Sequence, residues 1–168
     1  DYTPGILETQ LHTWSENTSY VHTTLVGQLA LYLVMWGPIQ MAADLPENYQ
    51  KYADAFQFIK DVAIDWDDSR YLEAEPGDYI TVARKAKGTD NWFVGGKCDE
   101  NGHRSVVKLD FLDKGKKYEY TLYADAPGTD YEKNPKAYRI TKRIVKKGDV
   151  LTIDEARGGG FAMSLIKK

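Results

Sequence analysis

The chain has 168 residues, of which 42% are hydrophobic and 28% charged, as is usual for globular proteins. Its formal net charge is −3 with both signs interspersed, which leaves no basic surface for nucleic acid. The single cysteine, Cys98, cannot form an intrachain disulfide, and a zinc site would have only His12, His22 and His103 to add to it. We expect Cys98 to be a small strand residue. The longest apolar run is shorter than the ~20 residues that span a bilayer, so no membrane span is predicted.

The first residues, Asp1 to Gly5, read like the middle of a protein, without an initiator Met, a signal peptide or a tag. Residues 29–36 are apolar on every side, and such a helix must be buried by neighbours all round. The rest of the chain contains too few predicted helices to bury this helix on all sides. We therefore expect the chain to be the C-terminal end of a larger enzyme, with part of its function carried by other residues.

The first predicted elements are a helix and a short strand. Thr23 or Thr24 is a suitable N-cap for a helix over residues 25–36, which the Gly-Pro pair at 37–38 ends. Residues 39–43 form a short apolar run between turn signals, which is typical of a fully buried parallel strand.

A second helix is predicted to begin directly after this strand. Asp44 is a good N-cap, Glu47 stands three residues later as in a capping box, and Pro46 is tolerated in the first turn. A helix, a short buried strand and another helix are typical of an α/β barrel or a doubly wound sheet. The second helix carries one apolar stripe, made of Tyr49, Tyr52, Ala53, Phe56 and Ile59.

Beyond residue 61 the apolar period changes from 3.6 to 2, which predicts strands. Residues 79–83 and 92–94 flank a turn and form a predicted hairpin. Several short strands at this spacing, in a chain with twelve Tyr and four Trp, favour an all-β sandwich over residues 62–168. The other alternating runs are residues 107–111, 118–122, 138–144 and 161–165.

One group of carboxylates could begin a calcium loop, at Asp65, Asp67 and Asp68. An EF-hand would need Gly at its sixth position and Glu at its twelfth, where this chain has Arg70 and Pro76. We therefore expect these residues to form a solvated interdomain loop.

Of three further features, the glycine run and the Ser15 and His22 combination do not indicate a site, whereas Asp44 is a candidate site residue. The three glycines at 158–160 lack the Lys-Ser/Thr of a phosphate loop and predict a turn before the last strand. Ser15 and His22 are not accompanied by the elbow motif of a nucleophilic serine. Asp44 follows a predicted strand at its C-terminal end, where α/β barrels place their active sites. It is therefore expected to cap the second helix, to contact substrate, or to do both.

A more specific signal comes from longer stretches: DYTPG at residues 1–5, TTL at 23–25, QLALY at 28–32 and PIQMAADLPENY at 38–49. Further stretches at 58–62, 65–68, 77–79 and 92–95 extend the pattern over essentially the whole chain. Together they closely resemble glycoside hydrolase family 97, whose members are α-glucosidases and α-galactosidases. The departures are modest, since Gly37 stands where Ser is expected and Trp36 where Tyr is usual.

The resemblance implies an architecture that agrees with the change of period. Residues 1–61 would be the last elements of a catalytic (β/α)8 barrel. Residues 62–168 would be a C-terminal antiparallel β-sandwich that supports the barrel and takes part in oligomerisation. By the same resemblance, Asp1, Tyr2 and Asp44 would lie at the C-terminal rim of the barrel, close to the sugar.

The resemblance also implies that the catalytic groups lie upstream of the DYTPG motif. They are a general acid Glu with either a Glu base in the inverting branch or an Asp nucleophile in the retaining branch. A calcium ion held by Glu side chains belongs to the same site. No catalytic residue and no metal ligand maps onto this chain, so the chain alone is expected to be inactive. The implied intact enzyme acts on α-linked oligosaccharides, is a homo-oligomer, and is periplasmic or secreted.

A second hypothesis from a different class is a free-standing, non-catalytic carbohydrate-binding β-sandwich. Its Tyr-rich strands would offer an aromatic face on which sugars stack, although aromatic strand residues more often belong to a core. A binding module would not need the apolar helix predicted at residues 29–36. The sequence therefore favours the glycosidase hypothesis, without deciding between glucosides and galactosides.

Overall fold

The computed structural model describes residues 3–11 and 19–168. No helix in these residues is long and apolar enough to cross a membrane. The helices are α1 (Leu25–Val34), α2 (Pro46–Lys51) and α3 (Ala53–Asp61). The strands are β1 (Gln10–Leu11), β2 (Ser19–Tyr20), β3 (Trp66–Glu75), β4 (Tyr79–Ala86), β5 (Trp92–Cys98), β6 (His103–Lys108), β7 (Lys117–Asp125), β8 (Tyr138–Lys146), β9 (Val150–Glu155) and β10 (Gly160–Lys167).

Six of these strands form one antiparallel sheet in the order β3-β4-β5-β10-β7-β8. Strands β6 and β9 pair as a separate two-stranded ribbon, and β1 pairs with β2. The last strand, β10, lies between β5 and β7 and so closes the middle of the sheet. The described architecture is mostly a β-sandwich with few helices, as the alternating pattern predicts.

The two faces of the six-stranded sheet pack against different elements, because side chains alternate along each strand. Along β10, Phe161 and Met163 belong to the core beneath the ribbon, whereas Ala162 belongs to the core beneath the helices. All three are fully buried. The helix-side core therefore joins residues before and after position 61, among them Leu7, Leu29, Leu33, Phe58, Phe93 and Tyr123.

Helix α1 contacts the middle strands β5 and β10. Thr24 caps it, as expected, by accepting a hydrogen bond at its hydroxyl from the Gly27 N–H at 3.0 Å. Every residue from Leu25 to Leu33 is buried. The expectation that the rest of this chain cannot bury an all-round apolar helix is wrong for these residues. The sheet covers one side of α1, and α3 and the segment 3–11 pack with it in the same core.

The close approach of α1 to the sheet depends on Gly95 in β5. A Cβ atom at this position would lie 2.9 Å from the Leu33 Cβ and 3.2 Å from the Ala30 carbonyl oxygen. Neither of these atoms can move without moving the helix backbone. Gly95 is therefore the residue that lets the helix lie directly on the strand.

The C-terminal end of α1 is held by Arg84 of β4. The Arg84 Nε donates a hydrogen bond to the Leu33 carbonyl oxygen at 2.8 Å, and its Nη1 donates to the Ser69 hydroxyl at 2.7 Å. A cation at this end also interacts favourably with the helix dipole. Arg84 is only 7% exposed, so its charge is held inside the fold by these partners. The sequence pattern does not reveal this contact.

The strand predicted at residues 39–43 is absent from the structure, which places these residues in no strand or helix. Ile39 is 75% exposed and Met41 is 49% exposed. A parallel strand needs neighbours on its edges, and the described residues supply none here. The prediction of a strand at residues 39–43 is therefore wrong for the described residues.

The second predicted helix is two helices, α2 and α3, with a break at Tyr52, whose backbone angles (φ −116°, ψ 43°) are not helical. The predicted apolar stripe is correct at Tyr49 and Tyr52, and Phe56 and Ile59 are half-buried against the helix-side core, but Ala53 is exposed. The break shifts the buried face of α3 to Ala55 and Phe58.

The strand predictions at 79–83, 92–94, 118–122, 138–144 and 161–165 are confirmed within β4, β5, β7, β8 and β10. The run at 107–111 overlaps only the end of β6. Asp67 and Asp68 lie in β3, so the predicted interdomain loop is wrong there. Strand β3 is an edge strand with two register shifts, and these bulges remove the simple alternation by which strands are recognised. The turn at 158–160 is confirmed, since β10 begins at Gly160.

Replacing Gly95 by Ala is expected to lower the free energy of unfolding by about 1–3 kcal/mol, as overpacking of a filled core does. The added methyl group would force β5 away from Leu33. Urea unfolding followed by circular dichroism measures the loss. Gly37→Ala is the control, because its nearest atom would be the Ile39 carbonyl oxygen at 3.9 Å. Equal losses in the two variants would contradict the close packing of α1 on β5.

Candidate functional site

Asp44 is the one predicted site residue that the structure describes. Its Oδ2 accepts hydrogen bonds from the backbone N–H groups of Leu7 at 2.7 Å and Glu8 at 2.8 Å. Its Oδ1 accepts from the Leu45 N–H at 2.8 Å and the Asn48 Nδ2 at 2.6 Å. The carboxylate therefore fixes the segment 3–11 against the start of α2.

The capping role expected of Asp44 is not what the structure shows. The N-cap position of α2 belongs to Leu45, and no side chain caps that helix. Asp44 instead bonds the N–H of that N-cap residue and the chain segment beside it. Contact between Asp44 and substrate stays a prediction. The other two predicted rim residues, Asp1 and Tyr2, lie outside the described residues.

Several other side chains hold the segment 3–11 in place. The Gln28 Oε1 of α1 accepts a hydrogen bond from the Gly5 N–H at 3.1 Å. The Tyr49 hydroxyl donates to the Gly5 carbonyl oxygen at 2.9 Å and accepts from the Asp44 N–H at 2.9 Å. The Tyr32 hydroxyl lies 2.7 Å from the Met41 carbonyl oxygen. The last residue of the DYTPG motif, Gly5, is thus built into the fold by hydrogen bonds with side chains of α1 and α2.

Glu8 extends this network to the β-structure. Lys51 lies 2.7 Å from its Oε2, and Lys136, which precedes β8, binds its Oε1. Burial by itself would raise the pKa of Glu8, but the hydrogen bonds from Lys136 and Lys51 outweigh it and lower the pKa to about 2. Glu8 is therefore an ionised anchor and not a proton donor.

The candidate nucleophiles and metal ligands give no site in the described residues. Ser15 and His12 lie outside them, and His22 is exposed and stacks on Tyr20 with ring centroids 4.6 Å apart. Cys98 is buried at the end of β5, as expected, and burial raises the pKa of its thiol to about 12. Within residues 3–11 and 19–168, no group of three or more His, Cys, Asp or Glu side chains could hold a metal ion.

Two carboxyl groups that the sequence analysis did not single out are buried together. Asp125 at the end of β7 and Glu155 at the end of β9 are 4% and 5% exposed. The Asp125 Oδ2 accepts hydrogen bonds from the Ala156 N–H at 3.0 Å and the Gly160 N–H at 2.9 Å. Burial raises the pKa of Asp125 and raises that of Glu155 to about 8.

This pair does not have the geometry of a glycosidase acid and base. Such groups flank the sugar and must both be open to it. Asp125 is instead bound to the turn that leads into β10, and Glu155 lies 2.6 Å from the Ser105 hydroxyl inside the sandwich. Lys97 lies nearby, and burial lowers its pKa; its Nζ donates to the carbonyl oxygens of Cys98 and Gly158. The two carboxyl groups therefore belong to the interior of the sandwich and do not form a catalytic site.

The most unusual surface feature follows α1. We call residues 35–45 the apolar segment, because its large hydrophobic side chains are exposed. Residues 35–41 line a surface cavity of about 610 Å³. Large exposed apolar patches mark interaction sites in soluble proteins. The exposed fractions are 51% for Met35, 42% for Trp36, 75% for Ile39, 49% for Met41 and 65% for Leu45.

A family model described as "Glycosyl-hydrolase 97 C-terminal, oligomerisation" matches residues 65–166. A retaining α-galactosidase of Bacteroides thetaiotaomicron is 36% identical over 142 residues, which are 84% of this chain and 21% of that protein. A probable retaining α-galactosidase of Streptomyces bingchenggensis is 31% identical over 136 residues, or 81% of this chain and 20% of that protein. The chain thus spans about a fifth of the length of these relatives.

Solved structures match the chain over a wider range. A glycoside hydrolase family 97 enzyme of Pseudoalteromonas sp. strain K8, in complex with panose, superimposes with a TM-score of 0.95 and 42% identity. It covers 100% of this chain, which is 26% of that enzyme. A β-arabinopyranosidase superimposes with a TM-score of 0.77 at 23% identity, which shows a shared fold alone.

Replacing Asp44 by Asn is expected to cost about 1–3 kcal/mol of folding free energy. Both Asp44 oxygens accept hydrogen bonds, and each faces two N–H groups. In Asn one of these oxygens is replaced by an NH2 group, which cannot accept a hydrogen bond from the N–H groups that face it. A simple helix cap would tolerate Asn with little loss. Urea unfolding measures the difference, with exposed Asp110→Asn as the control. An unchanged stability of the Asp44 variant would contradict the four-donor contact.

Proposed function

Because the chain belongs to glycoside hydrolase family 97, as the C-terminal part of an enzyme, we propose that it completes the catalytic barrel of an α-glycosidase. In this proposal residues 1–61 supply the last barrel elements, and residues 62–168 form the supporting sandwich. The relatives that match it are themselves glycoside hydrolases, and the Pseudoalteromonas enzyme covers the whole chain. The free-standing carbohydrate-binding module finds no support among them.

The apolar segment is the observation that carries this proposal. It extends from α1, which is itself buried, yet Ile39 and Leu45 are mostly exposed. Burial of a large apolar side chain contributes about 1.5–3 kcal/mol, so a surface of this kind is stabilised by a partner. We propose that the preceding part of the enzyme is that partner. Residues 39–43 would then pair with a neighbouring barrel strand, which the chain alone lacks.

The catalytic carboxylates are proposed to lie in the preceding part of the enzyme. The buried pair Asp125 and Glu155 is enclosed within the sandwich, and Glu8 is bound by two lysines. This chain would position residues near the substrate and would not supply the catalytic acid or base. Asp44 and its partners hold the segment 3–11 in place, and that segment directly follows Asp1 and Tyr2, which we propose to lie near the sugar together with Asp44.

The substrate is proposed to be an α-linked oligosaccharide. The names of the Bacteroides and Streptomyces relatives favour an α-galactoside and a retaining mechanism. The described residues do not fit a calcium site, so the proposed calcium ion would be held by side chains elsewhere in the enzyme. We also propose a periplasmic or secreted homo-oligomer; the family model's description as an oligomerisation domain supports the assembly.

The chain alone is expected to show no turnover of p-nitrophenyl α-galactoside or α-glucoside, because its described residues offer no open acid and base pair. Co-expression with the preceding part of the enzyme, as a separate polypeptide, should restore hydrolysis. Ile39→Asp in the apolar segment is expected to abolish this restoration, since it places a charge in the proposed contact.

Val150→Asp is the matched control, because Val150 is 55% exposed on the β6–β9 ribbon. It should restore activity like the unchanged chain. Hydrolysis by the chain alone, or equal loss in the two variants, would contradict the proposed division of roles.

A further inference from the structure

Four side chains from four strands form a continuous line of oxygen atoms through the sandwich. The Glu73 Oε1 of β3 lies 3.0 Å from the Thr81 Oγ1 of β4. The Thr81 Oγ1 lies 3.0 Å from the Ser105 Oγ of β6, and the Ser105 Oγ lies 2.6 Å from the Glu155 Oε1 of β9. All three distances are those of hydrogen bonds. The line therefore connects the edge of the six-stranded sheet to both strands of the ribbon.

The number of protons in this line decides its charge. Three oxygen-to-oxygen contacts need three protons, and the two hydroxyl groups supply only two. If both carboxyl groups were ionised, one contact would bring two oxygen atoms together without a proton. One additional proton completes the line, with each group donating to the next in a single direction.

The buried end of the line is where that proton is held at least cost. Glu155 is 5% exposed, and its Oε2 has no hydrogen-bond partner among the described residues. An ionised carboxylate with an unpaired buried oxygen is costly, whereas a neutral carboxyl group tolerates it better. The Glu73 side chain is 24% exposed, so its charge is better accommodated by solvent than that of the buried Glu155.

We propose that Glu155 is a neutral acid in the folded protein, and that it donates through Ser105 and Thr81 to an ionised Glu73. This one-proton line would fasten the β6–β9 ribbon to the sheet and make that attachment depend on pH. When Glu155 loses its proton to water, the line has one proton too few and a charge buried among other carboxylates. The titratable groups around it are Glu73 of β3, Lys97 and Cys98 of β5, His103 of β6 and Asp125 of β7.

The surroundings agree with this assignment. Burial raises the pKa of Glu155 to about 8, and the nearby charges of Asp125 and Glu73 act in the same direction. A raised pKa means that the contribution of Glu155 to stability is complete below the ordinary value of 4.5 and is lost as the pH rises through about 8. The ribbon should therefore be held more firmly at pH 6 than at pH 9.

Carbon-13 NMR of the side-chain carboxyl of Glu155 tests the proposal in the full 168-residue chain, with Glu155→Gln used to assign the signal. We expect a titration midpoint near 8, and a protonated signal at pH 6. A midpoint at or below 4.5 would overturn the proposal.

Stability as a function of pH gives a second, independent readout. In Glu155→Gln an amide N–H donor takes the place of the carboxyl proton and does not titrate. In the unchanged chain Glu155 lowers the free energy of unfolding as the pH rises from 4.5 to about 8, and this loss should be absent from the variant. The exposed Glu75 at the end of β3 provides a matched control, and Glu75→Gln should leave the loss intact. The same pH profile in the unchanged chain and in Glu155→Gln would contradict the proposal.

Discussion

The packing of α1 on the middle of the sheet is the contact on which the rest of this structure depends. It is possible because β5 has Gly95 beneath Leu33, where a Cβ would lie 2.9 Å from the Leu33 Cβ. The helix in turn holds the segment 3–11 through Gln28. The helical segment and the sandwich thus share one core, so that neither the sheet nor the helix buries its apolar face without the other.

Polar groups fix this packing at both ends of the helix. At its start, the N–H groups of Thr24 and Leu25 donate to the carbonyl oxygens of Gly158 and Pro135. At its end, Arg84 binds the Leu33 carbonyl oxygen. These are the backbone groups that a helix leaves without partners, and buried groups of this kind must be satisfied. Their partners lie far along the chain, which ties the position of α1 to the completed sandwich.

The sequence predicts the local parts of this fold well and its long-range parts poorly. The N-cap at Thr24 and the alternating strands depend on neighbouring residues, so their patterns are visible in the chain. Arg84, Asp125 and Glu155 look like ordinary surface charges, because their burial depends on residues distant in sequence. The strand predicted at residues 39–43 is absent for a related reason: composition predicts burial, but the described residues include no strand beside this run. Asp44 is predicted to be a helix cap or a substrate contact, but its observed hydrogen bonds bind the segment 3–11, which is distant in sequence.

Hydrogen exchange at the amides of α1 tests the central claim most directly. If the helix is packed on the sheet of the same chain, its amides should be protected to about the same degree as those of β5 and β10, because all three would exchange through one cooperative opening. Gly95→Ala should lower the protection of the helix together with that of β5. Rapid exchange of the α1 amides beside a protected sheet would contradict the claim. It would mean that the helix is held by the rest of the enzyme and not by this sandwich.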